Sequence, residues 1–156
     1  MNLPRLAASL VICQLAGLAG SLFTYPSIPT WYASLGKPWF TPPSWVFAPA
    51  WTALFILMGI SLYLVWQGGL KERQPRQAVT LFGVQLGLNV LWSALFFGLQ
   101  SPFLAFLEIL ALWAAIALTT IRFYPISRNA ALLLVPYMAW VSFAAILNLS
   151  VWLLNV

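Results

Sequence analysis

The sequence predicts an all-α integral membrane protein, a bundle of five transmembrane helices. Three observations carry this. Of 156 residues, 63% are hydrophobic and only 6% are charged, where an ordinary soluble domain has about 25% charged residues. Mean hydropathy is +0.94. The apolar residues are gathered into five runs, each at least as long as the ~20 helical residues needed to cross ~30 Å of hydrocarbon.

The runs cover roughly residues 5–25, 43–67, 77–100, 102–124 and 129–154, and about 26–42 reads as an aromatic, proline-rich loop. The whole of 1–156 reads as a single membrane domain. Arg5 and the small residues Ala16 to Gly20 resemble a secretory leader, but the apolar run is long for one. Pro26 and Pro29 separate the first two runs, and Gly68 to Arg76 ends the second. Gln100-Ser101-Pro102 is a tight turn, with Pro102 suited to begin the fourth helix. Tyr124 to Arg128 ends that helix, and Ser127 is a candidate cap for the fifth. Pro49 and Pro136 fall inside the second and fifth runs and are expected to bend them.

Charge supplies the orientation. Five spans put Arg5, Lys71, Arg73, Arg76, Arg122 and Arg128 on one side and Lys37 alone on the other. By the positive-inside rule the amino terminus is cytoplasmic, and the first loop and carboxyl terminus are outside. A net charge of +5 would suggest nucleic acid in a soluble protein. At segment ends these bases instead set topology and meet anionic headgroups. The expected partner is the lipid bilayer, not nucleic acid. The chain has no His and one Cys, Cys13, so neither an internal disulfide nor a Cys/His metal site is expected. The short chain without a targeting extension fits a prokaryotic cell membrane.

The break from Trp31 to Trp45 holds three Trp, one Tyr and one Phe in fifteen residues. Such side chains suit a membrane–water boundary and a flat-ligand pocket equally well. Within the spans, Gln85, Asn89 and Trp92 share one face of the third helix. Phe47, Trp51 and Phe55 form a stripe on the second, and Trp140, Ala144 and Asn148 one on the fifth. Gly17, Gly20 and Ser21 let a ligand or a neighbouring backbone approach the first. Aromatic rings, a few amides and small residues make a cavity for a flat, apolar, weakly polar ligand. The same residues also serve helix packing, with amides bonding helices together and rings filling space.

Two further features stand out. Glu108 is the only acid inside a span, a position that marks a proton path, an ion site, a buried pair or an anchor near the interface. Gly83 and Gly87 form a GxxxG, which allows close approach of two helices, within the bundle or between copies. At ~100° per residue, Gly87 lies about 160° from Asn89. One face of the third helix can therefore line a cavity while the opposite face meets a second copy. A homodimer through this helix is expected.

The chain resembles the translocator protein family, also known as TspO or the peripheral-type benzodiazepine receptor. The resemblance rests on Trp31-Tyr32, Leu35, Lys37-Pro38, Pro42-Pro43, Phe47 and Trp51, in the family's spacing. Gln85-Leu86, Asn89, Trp92 and Phe96-Phe97 extend it, as do Pro136-Tyr137, Trp140 and Leu147-Asn148. It implies a five-helix bundle, often dimeric, that binds porphyrins and synthetic aromatic ligands between the helices beneath the first loop. Carried over, the ligand contacts are Tyr32, Trp51, Phe55, Asn89, Trp92, Trp140 and Ala144, with Pro42 and Pro43 shaping the covering loop. The animal members' sterol motif requires a base after a helix-five Tyr. Here no base follows Tyr137, since Arg128 is the last in the chain.

Three functions stay open. The first is a receptor or binding protein for porphyrins and similar flat aromatics, with a transport or regulatory role. The second is a light- or oxidant-dependent porphyrin-degrading enzyme. The third is a sterol- or lipid-binding scaffold. Ligand binding is the preferred reading. No His is present, and no set of acid, base, nucleophile and metal converges, so no catalytic residue is assigned and no cofactor is required. Porphyrin is expected as ligand.

Overall fold

A computed structural model describes residues 1–156. Five helices are long and apolar enough to cross a membrane. The first span is α1 (Leu3–Ser27), prolonged by a wide π turn at Ile28–Tyr32. A 3-10 turn at Ser44–Val46 leads into α2 (Phe47–Trp66). The third span is α3 (Arg73–Ser93), ending in a second π turn at Ala94–Gly98. Then come α4 (Pro102–Phe123) and a fifth span in two pieces, α5 (Arg128–Leu133) and α6 (Val135–Leu154).

The helix ends follow local chemistry. Asn2 caps α1 by accepting from the Arg5 amide at 3.2 Å, with Pro4 in the first turn, where a missing N–H costs nothing. Ser101 accepts from Leu104 N at 3.3 Å with Pro102 opening α4, and Ser127 accepts from Ala130 N at 3.2 Å. The turn before Ser101 places Gln100 at φ 52, a left-handed conformation unusual for a residue with a side chain. The far end of α2 is capped from a distance. Arg5 Nη1 donates to Trp66 O (3.3 Å) and Gln67 O (2.8 Å), the carbonyls a helix end leaves open.

The expected boundaries need three corrections. The loop does not begin at 26. Pro26 lies inside α1 and Pro29 inside its π turn, so helical structure runs on to Tyr32. Thr30 Oγ1 donates to Pro26 O at 2.9 Å, taking up a carbonyl there, and the π register absorbs the rest of the disturbance. Pro49 sits not in the interior of α2 but in its first turn, where a missing N–H costs no bond within that helix. The third helix begins at Arg73 rather than 77, with Pro75 again in the first turn. In the fifth span the helix lapses only at Leu134, two residues ahead of Pro136, and Arg128–Leu154 otherwise runs on as one span, the interruption expected of that proline.

α1 packs along α2 and α3, and α4 lies between α3 and α6. Only 36 of 156 residues are buried, and Leu15, Leu18, Leu22, Leu107, Leu118 and Leu153 face outward. Such an exterior is satisfied by lipid tails, so interior packing rather than water exclusion holds the helices together. Inside, Phe82 and Phe123 stack with centroids 5.9 Å apart and 8° between planes. A Cβ on Gly59 would come within 2.8 Å of Leu10 Cδ2, so that glycine permits close contact of α1 and α2. The end of α1 is joined to the π turn that ends the third span by Ser27 Oγ donating to Phe97 O at 2.9 Å.

Candidate ligand-binding cavity

Between α1, α2, α3 and α6 lies a cavity of about 750 Å³. It is far more fully enclosed than a 610 Å³ hollow at the amino-terminal end, lined by only Met1 to Pro4, Tyr63 and Gln67. Phe47, Trp51 and Phe55 reach it from one face of α2, as the i, i+4, i+8 spacing requires. Asn89 and Trp92 come from α3, Trp140, Ala144 and Asn148 from α6, and Tyr32 from the end of the first span. Gly17, Gly20 and Ser21 also line it. A Cβ on Gly17 would stand 2.8 Å from the Phe55 ring, so this glycine gives the ring its place.

The walls are mostly rings held by other rings. Trp51 stacks on Phe55 (5.7 Å, 30°) and meets Trp140 edge-on (6.4 Å, 88°). Trp140 also contacts Phe47 (6.4 Å) and Phe143 (5.8 Å). Trp92 stacks on Phe96 at 5.2 Å, and its Nε1 donates to Asn148 Oδ1 at 2.9 Å. Asn148 Nδ2 in turn donates to Pro102 O at 2.8 Å, which fixes the amide and hence the indole. Edge-on and offset pairs of this kind give rings both contact and orientation.

One polar chain backs the wall. Asn89 Nδ2 donates to Tyr137 Oη (2.8 Å), and Tyr137 Oη donates to Gln85 Oε1 (2.8 Å). Tyr137 is fully buried and Gln85 is 1% exposed. With one Nδ2 hydrogen thus committed, the amide oxygen and the second N–H of Asn89 are left to a ligand. Gln85 shares the α3 face expected for it but lies behind the cavity, not in its wall. Pro42 and Pro43 do not line the cavity either. Pro43 opens the 3-10 turn into α2, accepting from Val46 N at 3.0 Å.

The loop above is fastened rather than loose. Phe40 leans edge-on against Phe143 (6.2 Å) and Trp31 against Phe96 (5.5 Å). Lys37 Nζ sits 4.7 Å from the centre of the Tyr32 ring, a cation–π contact. Asn155 clamps Gly36, accepting from its N–H at 2.9 Å and donating to its carbonyl at 2.8 Å. Neither this clamp nor the Tyr137 relay is foreseen by the sequence reading. No local pattern joins residues 119 apart, and a lone Tyr or Asn at a helix end reads as an interface residue.

Two other features lie away from the cavity. Glu108 is buried on α4 with neither carboxylate oxygen hydrogen-bonded, and it does not line the cavity. Gly83 and Gly87 are exposed on the outer face of α3, and a Cβ at either would meet nothing within 4 Å. These two glycines therefore do not serve close packing inside the bundle.

Fold and site together define a polytopic helical membrane protein that encloses a tryptophan-walled cavity between four of its helices. The sequence profile of the TspO/MBR family matches residues 9–153, and the chain belongs to that family. It is 49% identical over 155 residues to the tryptophan-rich protein TspO of Archaeoglobus fulgidus, covering 99% of both chains. It is 41% identical over 141 residues to the translocator protein of Homo sapiens, covering 89% of this chain and 83% of that one. With the tryptophan-rich sensory protein of Cereibacter sphaeroides it shares 36% over 125 residues, 80% and 77% of the two chains.

Proposed function

We propose that this protein binds porphyrins and similar flat aromatic molecules in the cavity and works as a membrane receptor for them, with a transport or regulatory role. The observation that carries the reading is the cavity itself, about 750 Å³ and walled by Trp51, Phe55, Trp92 and Trp140. That volume falls in the range of about 300–1,000 Å³ typical of small-molecule sites. Rings offer stacking faces, and Asn89 offers one oriented amide. No cofactor is required for binding. The receptor sits with its amino terminus in the cytoplasm of a prokaryotic cell, and it pairs through Gly83 and Gly87 on α3.

The porphyrin-degrading alternative draws on a single feature, the edge-on pair of Trp51 and Trp140 at 6.4 Å, which provides two oxidisable rings beside a bound molecule. One titration separates the readings. Purified protein is titrated with protoporphyrin, heme and a sterol, and the recovered ligand is weighed by mass spectrometry after illumination. Binding of the ring with unchanged mass supports the receptor. A new mass that requires both Trp51 and Trp140 supports the enzyme. With no His in the chain, heme is expected to show no strong axial-ligand spectrum. Trp140→Ala is expected to weaken protoporphyrin binding by about 1–3 kcal/mol, the scale of an aromatic anchor. Unchanged affinity in a folded Trp51→Ala/Trp140→Ala protein overturns the assignment of the pocket.

A further inference from the structure

We propose that ligand reaches the cavity sideways, out of the bilayer, through a slot between α1 and α2. The proposal rests on the ligand-binding reading above and adds the phase that supplies the ligand: flat aromatic molecules dissolved among the lipid tails.

The two helices are tight at one end and parted at the other. Near Gly59 the side chain and backbone of Leu10 come within 2.9 Å of a built Cβ. Past Gly17, α1 instead follows the end of the third span. A Cβ on Gly20 would lie 3.2 Å from Ser93 Oγ, one on Gly98 would lie 2.9 Å from Phe23, and Ser27 bonds Phe97 O. Along this parted stretch the cavity wall includes Tyr25, Trp45, Ala48 and Thr52. All four are also exposed on the outside of the bundle, Tyr25 at 64% and Trp45 at 74%. A side chain that belongs to both the wall and the exterior marks an opening. From Tyr25 down to Leu18, which also lines the cavity, is about 10 Å along a helix, so the slot passes the interfacial layer into hydrocarbon depth.

The rim suits apolar traffic. Three of its hydroxyls are tied back to their own helices: Ser21 Oγ to Leu18 O (2.7 Å), Thr24 Oγ1 to Gly20 O (3.2 Å) and Thr52 Oγ1 to Ala48 O (2.8 Å). Gln14 Nε2, donating to Thr52 O at 3.5 Å, closes the inner end of the slot, and a ring sliding in above it strips no hydrogen bond, the chief penalty for crossing a polar edge in lipid. The water-facing end is the reverse. Passage there must part Phe40 from Phe143 and Trp31 from Phe96, and break both Asn155 bonds to Gly36.

The test compares the two routes in lipid nanodiscs, with protoporphyrin uptake and release followed by tryptophan quenching in stopped flow. Ala48→Trp narrows the slot, and Ala48→Cys coupled after folding to a bulky maleimide does so without relying on the variant's folding. The wild-type chain, whose only thiol Cys13 is buried, sets the labelling background. Both blocks are expected to slow uptake and release together by about tenfold or more, where a change in affinity alone would not slow both. Asn155→Ala, which frees the loop, is expected to change neither rate by more than about twofold. Rates untouched by the blocks, or uptake accelerated by Asn155→Ala, overturn the proposal. A ligand-free arm uses Ala144→Cys. Membrane-dissolved N-phenylmaleimide should modify it, Ala48→Trp should protect it, and faster reaction with a water-confined sulfonated maleimide overturns the slot. If the wild-type protein takes up no protoporphyrin, the porphyrin reading fails, while the reagent arm still decides the route.

Discussion

Tyr137→Phe removes one oxygen and disconnects three side chains. The hydroxyl accepts from Asn89 and donates to Gln85, both at 2.8 Å, so two hydrogen bonds go at once. At a net ~0.5–1.5 kcal/mol each, the bonds alone amount to about 1–3 kcal/mol. The consequences for the two partners differ. Asn89 lines the cavity and its amide can turn toward it. Gln85 is 1% exposed and its Nε2 already has no acceptor, so losing Tyr137 leaves both ends of that amide unpaired in a sealed site. In membrane proteins measured couplings between polar side chains average only about 0.6 kcal/mol with a maximum near 1.7, which brings the expectation for two bonds to roughly 1 kcal/mol. The assay is denaturant unfolding in mixed micelles. Gln85→Leu in the Tyr137→Phe background should recover much of the loss, because replacing both partners by apolar groups removes the unpaired polar atoms. Singles and double that add within about 0.5 kcal/mol would mean the relay carries no stability and the reasoning is wrong.

Three other outcomes follow from the geometry. Gly83→Leu with Gly87→Leu should give a folded monomer that still binds ligand, since both positions open outward; light scattering that still shows a dimer puts the interface elsewhere. Asn155→Ala should raise hydrogen exchange across 33–40, through loss of two bonds worth about 1–2 kcal/mol locally; an unchanged exchange pattern refutes the clamp. Gln100→Gly should stabilise the protein by about 1 kcal/mol, read as a higher detergent melting temperature, because glycine carries no Cβ penalty at φ 52; a lower one refutes this.

The five spans were legible because hydrocarbon imposes one length and one composition on all of them. The inward faces of α2, α3 and α6 were legible too. Trp51, Asn89 and Trp140 follow from a 3.6-residue period once a stripe of rings or amides is seen on each helix. The first loop was misjudged at its start, because two prolines ordinarily end a helix. Here a π turn and the Thr30 hydroxyl carry the helix past Pro26 and Pro29. The tertiary hydrogen bonds were not legible at all. Tyr137, Gln85 and Asn155 take their roles from partners 52, 52 and 119 residues away, and one sequence contains no signal for such pairings. The lateral slot was equally hidden, since it depends on where two helices diverge.

The double bond from Arg5 to the end of α2 bears on how the topology of this chain is mapped. Arg5 is one of six basic residues on its side of the bundle, and it is also the C-terminal cap of its neighbour through Trp66 O and Gln67 O. Reversing its charge would therefore do two things at once: alter the signal that orients the first hairpin and leave the Gln67 carbonyl at the end of the second helix bare, Trp66 O keeping its bond from Gly69 N. A chain that inverted or misassembled after such a change would not tell which. Lys71 and Arg76, exposed in the connection between the second and third spans and at the start of α3, have no comparable second duty. They are the positions at which charge can be moved across the membrane and the result read as orientation alone.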